Sequence, residues 1–212
     1  MRKFGIAAIA AAMVLGCNDA PPATDEDRSA GDTVPSAVSD AVQTDAQAVF
    51  WASLHDLCGT AHEGRVVEAP ADDTTFAGKD LVMHVRTCTD DEIRIPFHVG
   101  ADRSRTWVLT RTGAGLRLKH DHRHEDGTED EITQYGGDAA PGGSAERQEF
   151  PADDHTASLI PAAATNVWTV EVVPGSVFAY ALRREGTDRR FRIEFDLSTQ
   201  VAAPPAPWGA ED

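Results

Sequence analysis

Between residues 92 and 125, three runs of alternating apolar and polar residues follow one another across turn-sized gaps, and few folds accommodate that pattern. In the first, Ile93, Ile95, Phe97 and Val99 share one face while Glu92, Arg94 and His98 share the other. This is the period of two of a half-buried strand. Residues 100–104 turn the chain. The second run, 105–112, sets Trp107 and Leu109 against Thr106, Val108 and Thr110, and Gly113-Ala114-Gly115 makes a short hairpin connection. In the third, Leu116, Leu118, His120, His122 and His124 fall on one face, and Arg117, Lys119, Asp121, Arg123 and Glu125 on the other.

The same period recurs along the chain. It marks further strands at 65–69, 81–88, 131–135, 148–150, 167–173, 177–184 and 190–197. Residues 136–145, rich in glycine and small residues, read as a mobile loop, and 151–165 as another. Ahead of the strands, Val42, Val49, Phe50, Leu54 and Leu57 recur at helical spacings over 41–58, and Gly59 is a fitting stop. This helix is expected to pack on the sheet, with His55 and His62 near its end as surface groups. Pro204, Pro205 and Pro207 keep 202–209 out of any ladder and lay Trp208 along the surface.

Short strands in hairpin succession, without a helical crossover, predict one all-β, mainly antiparallel domain over residues 41–212. Closure removes exposed sheet edges, so an up-and-down barrel is expected, with a strongly bent meander sheet on the helix as the alternative. The meander resembles the calycin class in this coarse sense. Gly64-Arg65-Val66 departs from the Gly-X-Trp motif of the first lipocalin strand.

The first residues carry a different signal. Arg2 and Lys3 precede an apolar run over 4–15, the layout of a secretory signal. Val14-Leu15-Gly16-Cys17 resembles the lipobox of bacterial lipoproteins. The resemblance implies cleavage after Gly16, a diacylglyceryl group on the Cys17 sulfur and acylation of the new amino terminus, together a stable membrane anchor. Residues 17–40, poor in large apolar side chains, are expected to form a disordered tether behind it. Asn18, where the enterobacterial sorting rule places Asp for inner-membrane retention, favours the outer membrane in a diderm cell.

Loss of Arg2 and Lys3 with the leader takes the formal charge from −16 to −18, which argues against a nucleic-acid partner and against electrostatic attraction to anionic lipid. Cys58 and Cys88 are the two cysteines left once Cys17 is assigned, and in an exported chain they read as a disulfide. Two free structural thiols are the alternative.

His120, His122 and His124 are the sharpest local signal. Alternate residues of a strand project to one side, so the three imidazoles can converge on zinc or copper, with His84 or His98 as a further ligand. The competing reading is a strand end growing polar as it runs toward the acidic turn 125–131, which does not match an EF-hand loop. Arg103, Arg105 and Arg111 can recognise an anion or can line a solvated face. The chain has no Gly-X-Ser-X-Gly elbow, P-loop, His-Glu-X-X-His or Gly-X-Gly-X-X-Gly, and Ser144 has no local base. The expectation is therefore a non-catalytic envelope lipoprotein that binds a small ligand or a protein, with a metal-binding protein or metalloenzyme as the alternative.

Overall fold

The computed structural model describes residues 36–211, with side chains from Asp45 onward. The leader, Cys17 and the tether up to residue 35 lie outside the described residues. The chain opens with α1 (Ser36–His55), followed by β1 (Ala61–Glu68), β2 (Leu81–His84), the short β3 (Thr87–Cys88), β4 (Glu92–Val99), β5 (Asp102–Thr112) and β6 (Gly115–His122). Then come β7 (Tyr135–Asp138), β8 (Arg147–Pro151), the short helix α2 (Asp154–Leu159), β9 (Asn166–Val173), β10 (Val177–Arg184) and β11 (Arg190–Asp196).

All strand pairings are antiparallel, in the order β7-β6-β5-β4-β2-β1-β11-β10-β9-β8, with β3 beside β4. Apart from the short β3 and the two edge strands β7 and β8, neighbours in sequence are neighbours in the sheet, and the last strand pairs with the first. This is a nearly closed up-and-down barrel. Its two sheet edges, β7 and β8, are joined by backbone hydrogen bonds at both ends of the seam, Ala140 N–H to the Glu149 carbonyl at 2.8 Å and Asp153 N–H to the Gly136 carbonyl at 2.9 Å.

The seam corrects the expectation of a mobile loop at 136–145. Gly136 and Gly137 are buried strand residues. A Cβ on Gly136 would stand 2.0 Å from the Leu118 carbonyl oxygen, and one on Gly137 1.8 Å from that of Pro151. The glycines are there for close backbone approach across the closing seam rather than for mobility. The strand expected at 131–135 accordingly begins only at Tyr135, and the loop expected at 151–165 contains α2, capped by the Asp153 carboxylate on the Thr156 N–H.

Alternation along each strand divides lumen from exterior. Inside lie Ile93, Ile95, Phe97, Leu109, Leu118, Phe150, Val170, Val172, Phe178, Ile193 and Phe195, each no more than 1 % exposed. Outside, charged residues pair across strands. Glu171 of β9 meets Arg147 of β8 and Arg192 of β11, both at 2.6 Å. Arg192 reaches past β10 because that strand turns only Ala179 and Ala181 outward between them.

Helix α1 closes one end. It begins at Ser36, five residues before the expected start, and packs on β6, β8 and β9. Its inner face is Gln47, Phe50, Trp51 and Leu54, spaced i, i+3, i+4 and i+7. Val49 was expected on that stripe but is 53 % exposed, because it points away from the face that Phe50, Trp51 and Leu54 define. Gln47 lies against Gly115, and the Arg111 guanidinium stands 5.9 Å over the Trp51 ring, so the helix covers the end marked by the β5–β6 hairpin. Cys58 and Cys88 form a disulfide that ties the chain just past α1 to β3. Residues Val34–Asp212 form one compact unit that contains this whole core.

The carboxy-terminal tail behaves as expected of its prolines. Val201 makes an isolated bridge to Ala61, and the chain then crosses the outside of the barrel, where Trp208 N–H donates to the Arg103 carbonyl and Arg103 Nη1 to that of Ala206.

Candidate functional site

At the end opposite α1, the lumen opens into a cavity of about 430 Å³. A layer of rings floors it. Trp107 stacks on Phe97 with centroids 4.7 Å apart, lies 4.4 Å from the Tyr180 ring and 5.8 Å from that of Phe178. The walls are Trp168, Tyr135, His120 and His122. The connection between β1 and β2 folds inward over one side. The Asp73 carboxylate accepts from the N–H groups of Phe76 and Ala77, and Phe76 packs on Phe97 and Phe191 at 5.8 and 5.5 Å. Arg105, Arg184 and Arg189 reach the cavity from three strand ends.

The polar wall follows from strand alternation. The lumen-facing row of β6 runs Leu116, Leu118, His120, His122, apolar at the α1 end and polar at the mouth. His120 Nδ1 lies 3.0 Å from the Tyr135 carbonyl and Nε2 2.5 Å from the Tyr180 hydroxyl. Burial pushes this imidazole down to about 3, so it is neutral. The carbonyl can only accept, which puts the proton on Nδ1 and leaves Nε2 to accept from Tyr180. The His120 ring also stacks on Tyr135, with centroids 4.4 Å apart.

His122 Nε2 lies 3.0 Å from the Tyr135 hydroxyl. Burial, with the Arg105 guanidinium adding to it, holds His122 down to about 4. Tyr135 is pushed up to about 12 and Tyr180 is also raised, both by burial. Gln134, with φ of 57°, is the one non-glycine residue in the left-handed region among the described residues. It immediately precedes Tyr135, and a backbone in that region is held only where its surroundings determine it.

The three histidines considered as joint ligands of a metal, the alternative reading of the cluster, do not converge. His120 and His122 face the lumen, but β6 ends at His122, and His124 sits exposed in the following turn with Nε2 3.9 Å from a Glu131 carboxylate oxygen. Both ring nitrogens of His120 already have hydrogen-bond partners. Among the described residues no group of three or more His, Cys, Asp or Glu side chains is arranged to hold a metal ion. His84 and His98, considered as further ligands, lie on outward-facing positions of β2 and β4, buried with 8 % and 5 % exposure; Val82, His98 and Trp208 line one depression beside the tail. His62, expected on the surface, is buried, with Nδ1 within 2.9 Å of the Asp196 and Thr199 carbonyls.

Of the three arginines singled out in the sequence, Arg105 alone lines the cavity. Arg103 is held by the tail and Arg111 by Trp51. Sequence reasoning missed Tyr135, Asn166, Trp168, Tyr180 and Arg184. The available signal was that of β6 repeated: the lumenal rows Val172, Val170, Trp168, Asn166 and Phe178, Tyr180, Leu182, Arg184 also grow polar toward one end.

No family model, curated protein or solved structure matches the chain. The class of protein rests on the geometry: an antiparallel barrel stopped at one end by a helix and open at the other into an aromatic, polar-walled cavity.

Proposed function

We propose that this chain is a lipid-anchored extracytoplasmic binding protein whose barrel takes a small organic ligand in the mouth cavity. The observation that carries the reading is the cavity itself. It has the size of a small-molecule site, and its lining combines a layer of rings with polar and charged side chains that converge from several strands and the β1–β2 connection. The imidazoles beside it are held neutral at ordinary pH, His120 engaged by the Tyr135 carbonyl and the Tyr180 hydroxyl and His122 by the Tyr135 hydroxyl. The lipobox-like segment ending at Cys17 supports attachment to a membrane, and the Cys58–Cys88 disulfide fits an oxidising compartment.

Two measurements test the two halves of the reading. The oxidised Val34–Asp212 unit is expected to bind the neutral dye N-phenylnaphthylamine, read by energy transfer from Trp107 and Trp168 and weakened by Trp168→Ala. A wild-type unit that melts cooperatively and binds no dye overturns the cavity as a binding site. In a bacterial host, Cys17→Ser is expected to abolish incorporation of radiolabelled fatty acid, and undiminished labelling overturns the anchor.

A further inference from the structure

The donors and acceptors around the cavity floor do not balance, and the surplus is on the donor side. Tyr135 and neutral His122 carry one mobile proton each. One of them lies in the hydrogen bond between the Tyr135 hydroxyl and His122 Nε2, whichever way that bond runs. The other remains as a donor, on His122 Nδ1 or on the Tyr135 hydroxyl. Directly across the strand pair from His122 stands Arg105. It lines the same cavity as His122, Tyr135 and Tyr180, and its charge is felt by all three.

Among the described residues Arg105 makes one hydrogen bond, from Nη1 to Asp102 Oδ2. The fork has five N–H donors, so most of it is without a protein acceptor among the described residues, at a residue that lines the cavity. Asp130 also lies near His122, but its carboxylate already accepts from the Ile132 N–H at 2.7 Å. At the rim, Arg184 donates to the Asn166 side-chain oxygen and has no carboxylate partner among the described residues. Asp72 and Asp73 also line the mouth, Asp73 accepting from the N–H groups of Phe76 and Ala77, so the donor surplus is confined to Arg105, His122 and Tyr135, in a chain with formal charge −16. Against that background, it is a local feature of the site.

We infer that the ligand is a small organic anion, with a carboxylate or sulfonate seated on Arg105 beside His122 and Tyr135 and a planar apolar body lying over the Trp107 and Tyr180 rings. The inference rests on the cavity being a binding site and adds the chemical class of its occupant. A planar anion group matches the guanidinium fork, and hydrogen bonds of this charge-assisted kind are about twice as strong as neutral ones. The ring layer supplies the apolar contact that a purely inorganic anion would not use.

Two dyes that share a fluorophore separate the charge from the body. Anilinonaphthalene sulfonate carries an anion that N-phenylnaphthylamine lacks. With the oxidised Val34–Asp212 unit, Arg105→Gln is expected to weaken the sulfonate dye about tenfold or more beyond any effect it has on the neutral dye. Arg105→Lys should restore part of the loss. Asp102→Asn, which releases the remaining arm of the fork, should strengthen the sulfonate dye a few-fold. Each variant's thermal melt is recorded alongside, so that a folding defect shows as a loss of both dyes together with a lowered Tm. In that case, Asp102→Asn decides, because its expected gain in affinity does not arise from unfolding. The inference is overturned if correctly folded Arg105→Gln binds the sulfonate dye as wild type does, or if Asp102→Asn brings no gain. If wild type binds the neutral dye and shows no preference between the two, the cavity stands and the anion seat falls. If it binds neither, both fall.

Discussion

Followed from the α1 end toward the mouth, three lumenal rows change character in step. The β6 row passes from Leu116 and Leu118 to His120 and His122, the β9 row from Val172 and Val170 to Trp168 and Asn166, and the β10 row from Phe178 to Tyr180 and Arg184. The α1 end adds Phe50, Trp51 and Leu54 from the helix to the buried apolar core, whereas the mouth keeps a cavity of about 430 Å³. One set of strands thus carries an apolar half under the helix and an open half that holds the proposed binding site. The division predicts that substitutions at the two ends have opposite signatures: loss of Tm with dye binding retained at the helix end, loss of anionic-dye binding with Tm retained at Arg105.

The largest effect is expected where the helix enters the lumen. Phe50 is fully buried among apolar side chains, and Phe50→Ala removes those contacts and leaves a void, a change that costs about 3 to 5 kcal/mol in comparable cores. For a domain of this length that is a fall in Tm on the order of 10 °C. Binding of N-phenylnaphthylamine, measured below the melting range, should persist. A variant that keeps its Tm, or that loses dye binding while still folded, breaks the division between the two ends.

Next comes the staple beside the helix. Cys58 and Cys88 are 30 residues apart, and in the chain-entropy model closing such a loop stabilises the fold by about 3 to 4 kcal/mol. The double Cys58→Ala/Cys88→Ala variant should melt correspondingly lower and, like Phe50→Ala, keep its dye affinity. Equal melting of wild type with and without reductant would show that the bridge contributes nothing.

The barrel was legible in the sequence because its strands are half-buried, and the period of two survives wherever one face is lumen and the other water. The 177–184 strand matches its expected bounds for that reason. What escaped had other determinants. At 136–137 composition suggests a loop, yet the glycines are fixed by carbonyl oxygens from β6 and from the end of β8, contacts that exist only once the seam closes. In α1 the helical spacing was read correctly but the face was placed through Val49 instead of Trp51, since hydrophobicity alone does not say which side meets the barrel. In the site, alternation placed His120 and His122 together on one face. It did not show that the strand ends before His124, nor that Tyr135 and Tyr180 supply the His120 partners that the alternative reading assigned to a metal.

The smallest expected effect concerns protons, and it distinguishes the two ends most directly. The inner face of α1, Gln47, Phe50, Trp51 and Leu54, has no titratable group, whereas the mouth wall holds His120 and His122 neutral by burial. His120 titrates at about 3 in the folded chain, well below its ordinary value of 6.5. The unfolded chain therefore binds the proton first as pH falls, so stability is full above about 6.5 and is lost progressively toward 3. At pH 5 this one imidazole accounts for about 2 kcal/mol of lost stability, on the order of 4 to 8 °C in Tm. His122 and the outward-facing His98, both held at about 4, add losses of the same sign. His120→Gln lowers stability at neutral pH by disturbing the Tyr135 and Tyr180 hydrogen bonds, but it removes one titrating group, so its Tm should fall less between pH 7 and pH 5 than that of wild type. Phe50→Ala, by contrast, should start lower and fall in parallel with wild type. Parallel slopes for wild type and His120→Gln would mean that the buried imidazole is not what makes the mouth the acid-sensitive end.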